Sequence, residues 1–304
     1  MRSRPNSVTD ESIARAVAAH WLPEAAEASY LPWGFGAHHW RVTGGGRTLF
    51  VTLDQLEPRH TAASLEAAYA GAAALAGGGL DVVCAPLPSR SGRFTVAAGA
   101  GALSVTPWLA GRPPTEDESL VPHHIHDVTE ALAALHRAVP PDGVADWVPR
   151  VGPGFAAELR ARTSRPWASG PLAEEARSAL AAGHGSIERW TGRYLELAAL
   201  ARACRREWVP THGEPHYANQ VRTADGLKLV DWESLACAPR ERDDGAVPET
   251  GAGGDPAMVE LFALDWRLAE IDEYARWFSA PHTGTEDDRI ALEGLHEELS
   301  GATG

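Results

Sequence analysis

The sequence predicts an α+β protein of two lobes, a small antiparallel sheet with one helix followed by a larger, mostly helical lobe. Three observations carry this. The 304 residues exceed the usual size of a single core, which favours two lobes and leaves one large α/β domain as the alternative. Between Ala28 and Leu53, β-prone runs alternate with glycine turns. From about Asp127 onward the pattern is helical except for one short hairpin. The lobe boundary is expected at Ala110-Gly-Arg-Pro-Pro114, which divides the chain into residues 1–109 and 110–304.

In chain order, Val8 to Trp21 reads as a helix after a Thr9-Asp10 start, with Ile13, Val17, Ala18 and Trp21 on one face. Three strands follow, Ala28–Trp33, His38–Thr43 and Thr48–Leu53, separated by Gly34-Phe-Gly36 and Gly44-Gly-Gly46. An alanine-rich helix from His60 ends at Gly77-Gly-Gly79. Leu80–Cys84, Phe94–Ala97 and Leu103–Leu109 are expected to complete the sheet. Asp127–Val139 is amphipathic, with Val128, Leu132, Leu135 and His136 on one stripe. Gly152–Arg205 reads as two or three helices broken at Pro166 and Gly183-His-Gly185, and the chain is helical again from Asp255.

A formal charge of −14 and a single lysine, Lys228, argue against nucleic-acid binding and are compatible with a cationic ligand. Cys84, Cys204 and Cys237 are odd in number and form no Cys-x-x-Cys, so neither a disulfide framework nor a structural zinc is expected. No apolar run reaches membrane-spanning length, and a cytoplasmic protein without membrane partners is expected. His123, His126 and His136 lack zinc-ligand spacing and read as core or surface histidines.

The most specific stretch is Val209-Pro-Thr-His-Gly-Glu-Pro-His-Tyr-Ala-Asn219, with Val230-Asp-Trp-Glu233 beyond a hairpin that turns at Asp225-Gly226. The hairpin would return Asp231 to the side of Asn219. Phosphoryl transfer needs a carboxylate near the attacking hydroxyl and oxygen ligands for Mg²⁺, and this spacing supplies both.

His212-Gly-Glu-Pro-His-Tyr-Ala-Asn219 with Leu229-Val-Asp-Trp-Glu233 resembles the catalytic signature of the aminoglycoside phosphotransferase family, from about Tyr30 to about Ala280. The resemblance implies a bilobal protein-kinase-like fold, with a nucleotide-binding small lobe and an acceptor site in the helical lobe. It implies an O-phosphotransferase that moves a phosphoryl group from ATP or GTP to a hydroxyl of a small, cationic molecule such as an aminoglycoside-like antibiotic. Glu214 would orient or deprotonate that hydroxyl, His212 would brace the loop, and Asn219 with Asp231 would hold Mg²⁺. Asp243 would steady the loop by hydrogen bonds. Gly34 and Gly36 would let the backbone close over phosphates, and Thr106 C=O with Trp108 N–H would read the base across Pro107.

The chain departs from the family twice. Glu214 stands where aspartate is usual, and Thr52 or Leu53 stands where the third strand normally carries a lysine. Arg41 on the neighbouring strand is one candidate to replace that cation. Without the lysine, Glu66 reads as a solvated or helix-capping glutamate. The departures leave open a kinase-like protein that binds nucleotide or a small molecule without turnover, and a kinase for an amino alcohol is a third reading.

Overall fold

The computed structural model describes residues 1, 3–5, 8–34, 36–56, 59–244, 247 and 254–301. Two compact units emerge, Met1–Trp147 with Trp208–Gly253 and Val148–Glu207 with Gly254–Gly304.

In the first unit, helix α1 (Asp10–His20) is capped by Thr9, which exchanges hydrogen bonds with Ser12. An antiparallel sheet follows, built from β1 (Ala25–Leu31), β2 (His38–Gly44), β3 (Arg47–Gln55), β4 (Val96–Ala98) and β5 (Gly101–Pro107), in the order β1-β2-β3-β5-β4. Strand alternation sorts its side chains. Trp40, Val42, Leu49, Val51, Leu53, Leu103 and Val105 form one core with Ile13 and Val17 of α1. The opposite face therefore carries Phe50, Thr52 and Asp54 of β3, with His39 opposite Thr52, Arg41 opposite Phe50, and Ser104 and Thr106 from β5.

Helix α2 (Ala62–Gly77) starts at a second reciprocal cap, Thr61 with Ser64. Leu65, Tyr69, Ala72 and Leu75 enter another core with Val128, Leu132 and Leu135 of the later helix 122–137 and with Leu229, Trp232 and Leu235. Strand β6 (Gly111–Arg112), helix α3 (Glu116–Ser119) and helix α4 (Pro122–Arg137) come next. Proline at the first position of α4 needs no donor there, so the helix begins five residues earlier than the apolar stripe suggests. Strands β7 (Val209–Thr211), β8 (Gln220–Thr223), β9 (Gly226–Leu229) and β10 (Ala236–Ala238), then a short helix Glu241–Asp244, complete the unit.

The second unit is helical: Phe155–Thr163, Ala173–Ala203, Pro256–Ser279 and Glu286–Ser300. Leu180, Ile187, Tyr194, Leu268, Ile271 and Phe278 are buried there. The Tyr194 hydroxyl donates to the buried Asp265 carboxylate, which also faces Arg150 at 3.5 Å. Among the described residues, no helix is long and apolar enough to cross a membrane.

Two expected elements differ. Leu80–Cys84 is not a sheet strand, because its backbone is satisfied elsewhere: Leu229 N–H donates to Val82 C=O at 2.7 Å and Cys84 N–H to Leu229 C=O at 3.0 Å. Gly183-His-Gly185 does not break its helix, which runs unbroken over 31 residues. A Cβ on Gly183 would lie 2.8 Å from Leu299 Cδ2, so the glycine admits a close helix contact. Packing thus offsets its propensity cost of about 1 kcal/mol.

Candidate active site

Strands β7 and β10 pair antiparallel, with Thr211 opposite Ala236, and this ribbon anchors both halves of the predicted motif. The β8–β9 hairpin has Thr223 opposite Gly226, so its turn is Ala224-Asp225, one residue earlier than expected. Closure brings Val230 N–H to the Asn219 carbonyl at 3.0 Å, which sets Asn219 next to the residue preceding Asp231. Asp231 has φ +66, the one positive value among described non-glycine residues. A non-glycine residue costs about 1–2 kcal/mol in that region, and such strain tends to gather at functional turns.

His212 is fully buried and wired on both sides of its ring. Nε2 lies 2.8 Å from the Val230 carbonyl and must donate to it, so Nδ1 is the acceptor, receiving Glu214 N–H at 3.3 Å. Burial pushes the His212 pKa down, consistent with this neutral tautomer. The backbone N–H groups of His212 and Gly213 donate to Asp243 at 3.1 and 2.6 Å, and His136 Nε2 sits 2.8 Å from the same carboxylate. Burial alone would raise the Asp243 pKa, but the hydrogen bond and charge of His136 and the Gly213 N–H outweigh it and hold it below the ordinary range. Asp243 therefore braces the loop, and His136 supports Asp243. Gly213 has φ +94, and a Cβ there would fall 2.4 Å from the Arg242 guanidinium. Any other residue there would be strained in the backbone and would have to displace the Arg242 guanidinium.

Glu214 is paired with Arg59, which reaches it from the β3–α2 connection, and accepts from Ser234 Oγ at 3.2 Å. The next residue, His60, lies 3.2 Å from Glu233 Oε1, close enough for a charge contact though not aligned as a hydrogen bond. Asp54 is 2% exposed; its Oδ2 accepts from Tyr69 Oη at 3.1 Å, and its Oδ1 lacks a hydrogen-bond partner. Burial raises the pKa of Asp54 and of Asp231 well above the carboxylate range, and the charge of Glu233 adds to both shifts. Glu233 moves the other way: burial opposes ionisation, and His60 with Arg59 prevails. Four carboxylates thus interact in one buried region with the Arg59 guanidinium and the His60 ring.

That donor set suits a hard cation. Asn219 Nδ2 donates to the Glu214 carbonyl at 2.9 Å, so its Oδ1 is the atom it could offer a cation. Among the described residues, no three His, Cys, Asp or Glu side chains form a complete metal cage. Mg²⁺ commonly takes one or two carboxylates plus phosphate and water, so a cage is not required.

On the sheet, Gly34 and Gly36 have φ +71 and +91, the freedom a tight turn needs; Phe35 between them lies outside the described residues. Thr52 faces the same way as Asp54, and its Oγ1 is 3.3 Å from His39 Nδ1. Burial pushes the His39 pKa down to about 3, so this ring brings no positive charge. The Arg41 guanidinium sits 5.2 Å from the centre of the Trp108 ring, which also neighbours Phe50 at 6.4 Å and Trp33 at 6.3 Å. Glu66 accepts from Phe94 N–H, Thr95 N–H and Thr95 Oγ1 at 3.0, 3.0 and 2.7 Å, so it pins the 94–95 segment to α2 instead of standing in solvent or capping its helix, which Thr61 does.

The expected base-reading pair is corrected by the ladder. Trp108 N–H donates to Thr48 C=O at 3.3 Å, and in an antiparallel ladder alternate residues face the partner, so Thr106 C=O also points to β3. Val105 points outward, its carbonyl taking Leu87 N–H at 2.7 Å. By the same alternation Pro107 C=O, followed by Leu109 N–H, faces away from β3.

Sequence reasoning did not find Arg59, His60, Asp54, Ser234 or Arg242. Asp54 was within reach, since period two puts it on the face of Thr52. Arg59 was not, because 155 residues separate it from Glu214.

Fold and site together define a kinase-like small-molecule phosphotransferase, and comparison with known proteins agrees. Residues 27–277 match the phosphotransferase enzyme family, designated APH, and the chain belongs to that family. It is 30% identical over 260 residues to Protein StrN of Streptomyces griseus, covering 76% of each chain. Its fold is similar to spectinomycin phosphotransferase APH(9)-Ia, solved with ADP and spectinomycin, at TM-score 0.74 and 13% identity over 97% of this chain and 98% of that one. A microcompartment-associated aminopropanol kinase is similar at TM-score 0.61 and 15% identity, over 96% of each chain.

Proposed function

We propose that the protein transfers the terminal phosphoryl group of ATP or GTP to a hydroxyl of a small, cationic acceptor, an aminoglycoside-like antibiotic being the leading class. The observation that carries this is the wiring of His212 between Val230 and Glu214, which ties the loop holding the carboxylate to the turn holding Asp231. Glu214 is the acceptor-orienting base and Asn219 with Asp231 the metal-holding pair. Mg²⁺ bound there would neutralise charge on phosphate oxygens. Pro107 C=O and Leu109 N–H would read the base, with Trp108 offering a ring surface beside them.

The acidic region and the −14 charge support a cationic acceptor. Free thiols at Cys84, Cys204 and Cys237 are compatible with a reducing cytoplasm. The lobe division at residues 109 and 110 is kept as a functional one, sheet for nucleotide and remainder for acceptor.

The test is direct. With Mg-ATP or Mg-GTP and a panel of aminoglycosides, aminocyclitols and amino alcohols, one acceptor should gain the mass of one phosphate. Phosphorylation of an amino alcohol alone would move the reading to a metabolite kinase. Nucleotide binding without any product would favour the non-turnover reading, which Thr52 and the Arg59–Glu214 pair motivate.

A further inference from the structure

We propose that Arg59 replaces the cation missing from β3, exchanging its contact with Glu214 for the phosphates of the bound nucleotide. The inference rests on the nucleotide-dependent reading above. A triphosphate brings several negative charges to a region that already holds Asp54, Asp231, Glu233 and Glu214, and one metal ion leaves some of that charge uncompensated. The cleft-facing positions of β3 hold Phe50, Thr52 and Asp54, none of them cationic.

Two arginines are near enough to consider. Arg41 lies opposite Phe50, one cleft-facing step from Thr52 toward Trp108, roughly 7 Å along the strand. It rests on the Trp108 ring, at the end of the sheet away from Asp54. Arg59 lies at the other end, where β3 leads into α2, and its guanidinium already contacts the carboxylate proposed as base. His60 beside it faces Glu233. The connection after β3 thus brings a guanidinium to Glu214 and an imidazole to Glu233, the two carboxylates whose charges act most strongly on Asp231, at the end where phosphates would meet the metal-holding pair.

The exchange has a chemical consequence. While paired with Arg59, the Glu214 carboxylate is occupied; when phosphate takes the guanidinium, its oxygen is opened to the acceptor hydroxyl. Nucleotide binding would therefore switch on the base. Ser234 Oγ, 3.2 Å from Glu214 Oε1, would keep the carboxylate in place after Arg59 leaves.

Calorimetry with adenosine and a non-hydrolysable ATP analogue, and with the guanosine pair, each with Mg²⁺, tests this on wild type, Arg59→Ala, Arg59→Lys, Arg41→Ala and Glu214→Gln. Arg59→Ala should weaken the triphosphate by about 10- to 100-fold, the scale of one charge-assisted contact, and change nucleoside affinity less than about twofold. Arg59→Lys should restore most of the loss. Glu214→Gln should tighten the triphosphate, because it releases Arg59. Equal losses for nucleoside and triphosphate in Arg59→Ala, or a triphosphate-selective loss confined to Arg41→Ala, would overturn the proposal and leave the phosphotransferase reading standing. Absence of nucleotide binding by wild type would overturn both. Thermal melting of each variant separates loss of fold from loss of contact.

Discussion

The loop from His212 to Asn219 and the strand that carries Thr52 face the same buried acidic region, and they hold charge differently. On the loop, geometry is set through the backbone: His212 is tied to Val230 and Glu214, Asn219 to Glu214, and the His212 and Gly213 N–H groups to Asp243. On the strand, the lysine position is a threonine held by a neutral histidine, and Asp54 has a buried oxygen without a partner. Geometry is fixed by a network, and a network cannot lose a member without leaving buried groups unpaired. A single long-range charge is easier to relocate, since what matters is where the guanidinium or ammonium ends, not which residue carries it. The contrast explains how a family member can dispense with the lysine yet keep the loop.

The sharpest way to break the comparison is at Asp231. Replacing it with Asn, which tolerates the left-handed backbone, should lower turnover by more than about 100-fold, since even residues behind a metal ligand can matter that much. Melting temperature should not fall, because the neutral amide removes the unfavourable ionisation that burial and the charge of Glu233 impose on Asp231. Unchanged turnover in a phosphorylation assay would remove Asp231 from the site.

Glu214→Gln should lower kcat by about 10²–10⁴, the usual contribution of a positioned base, with nucleotide affinity held or raised. Activity equal to wild type would show that Glu214 is not the base. Glu214→Asp, which restores the family's residue, should retain more activity than the amide.

Asp243→Ala leaves two buried N–H groups and His136 without their acceptor and should cost about 3 kcal/mol or more, seen as a lower melting temperature. The pH dependence sharpens this. Because its folded pKa is depressed, Asp243 binds fewer protons folded than unfolded. Its stabilisation is complete above an ordinary carboxylate pKa of about 3.9 and is lost as pH falls through the lower folded value. The gap between wild type and Asp243→Ala should therefore be full at pH 6 and shrink below about pH 4. A gap independent of pH would mean that the carboxylate charge is not what braces the loop.

Glu66→Ala should destabilise by about 1–3 kcal/mol, through the lost acceptor of Phe94 and Thr95, without a selective loss of triphosphate affinity. A triphosphate-selective loss would restore the kinase-type role for Glu66. The smallest effect is expected for Thr52→Lys. One added ammonium beside Asp54 should raise triphosphate affinity only several-fold if Arg59 already serves, about 1 kcal/mol against the few kcal/mol of an otherwise uncompensated site. Calorimetry reads the difference.

Much of this protein was determined by sequence alone. Period two fixed the faces of β2 and β3, and reciprocal threonine–serine caps mark the starts of α1 and α2. The spacing from His212 to Asn219 and a two-residue hairpin were sufficient to bring Asn219 against Val230, the residue before Asp231, because a tight turn leaves the chain few other courses. Those are local constraints, acting over a few bonds. The phase of the β3–β5 ladder, which turns Thr106 C=O inward, depends on which pairs hydrogen-bond, and side-chain pattern does not encode that. The fate of Leu80–Cys84 and the helix through Gly183 were decided by partners distant in the chain, Leu229 and Leu299. Arg59 on Glu214 belongs to the same class: an ion pair depends on distance in space, and only the folded chain sets it.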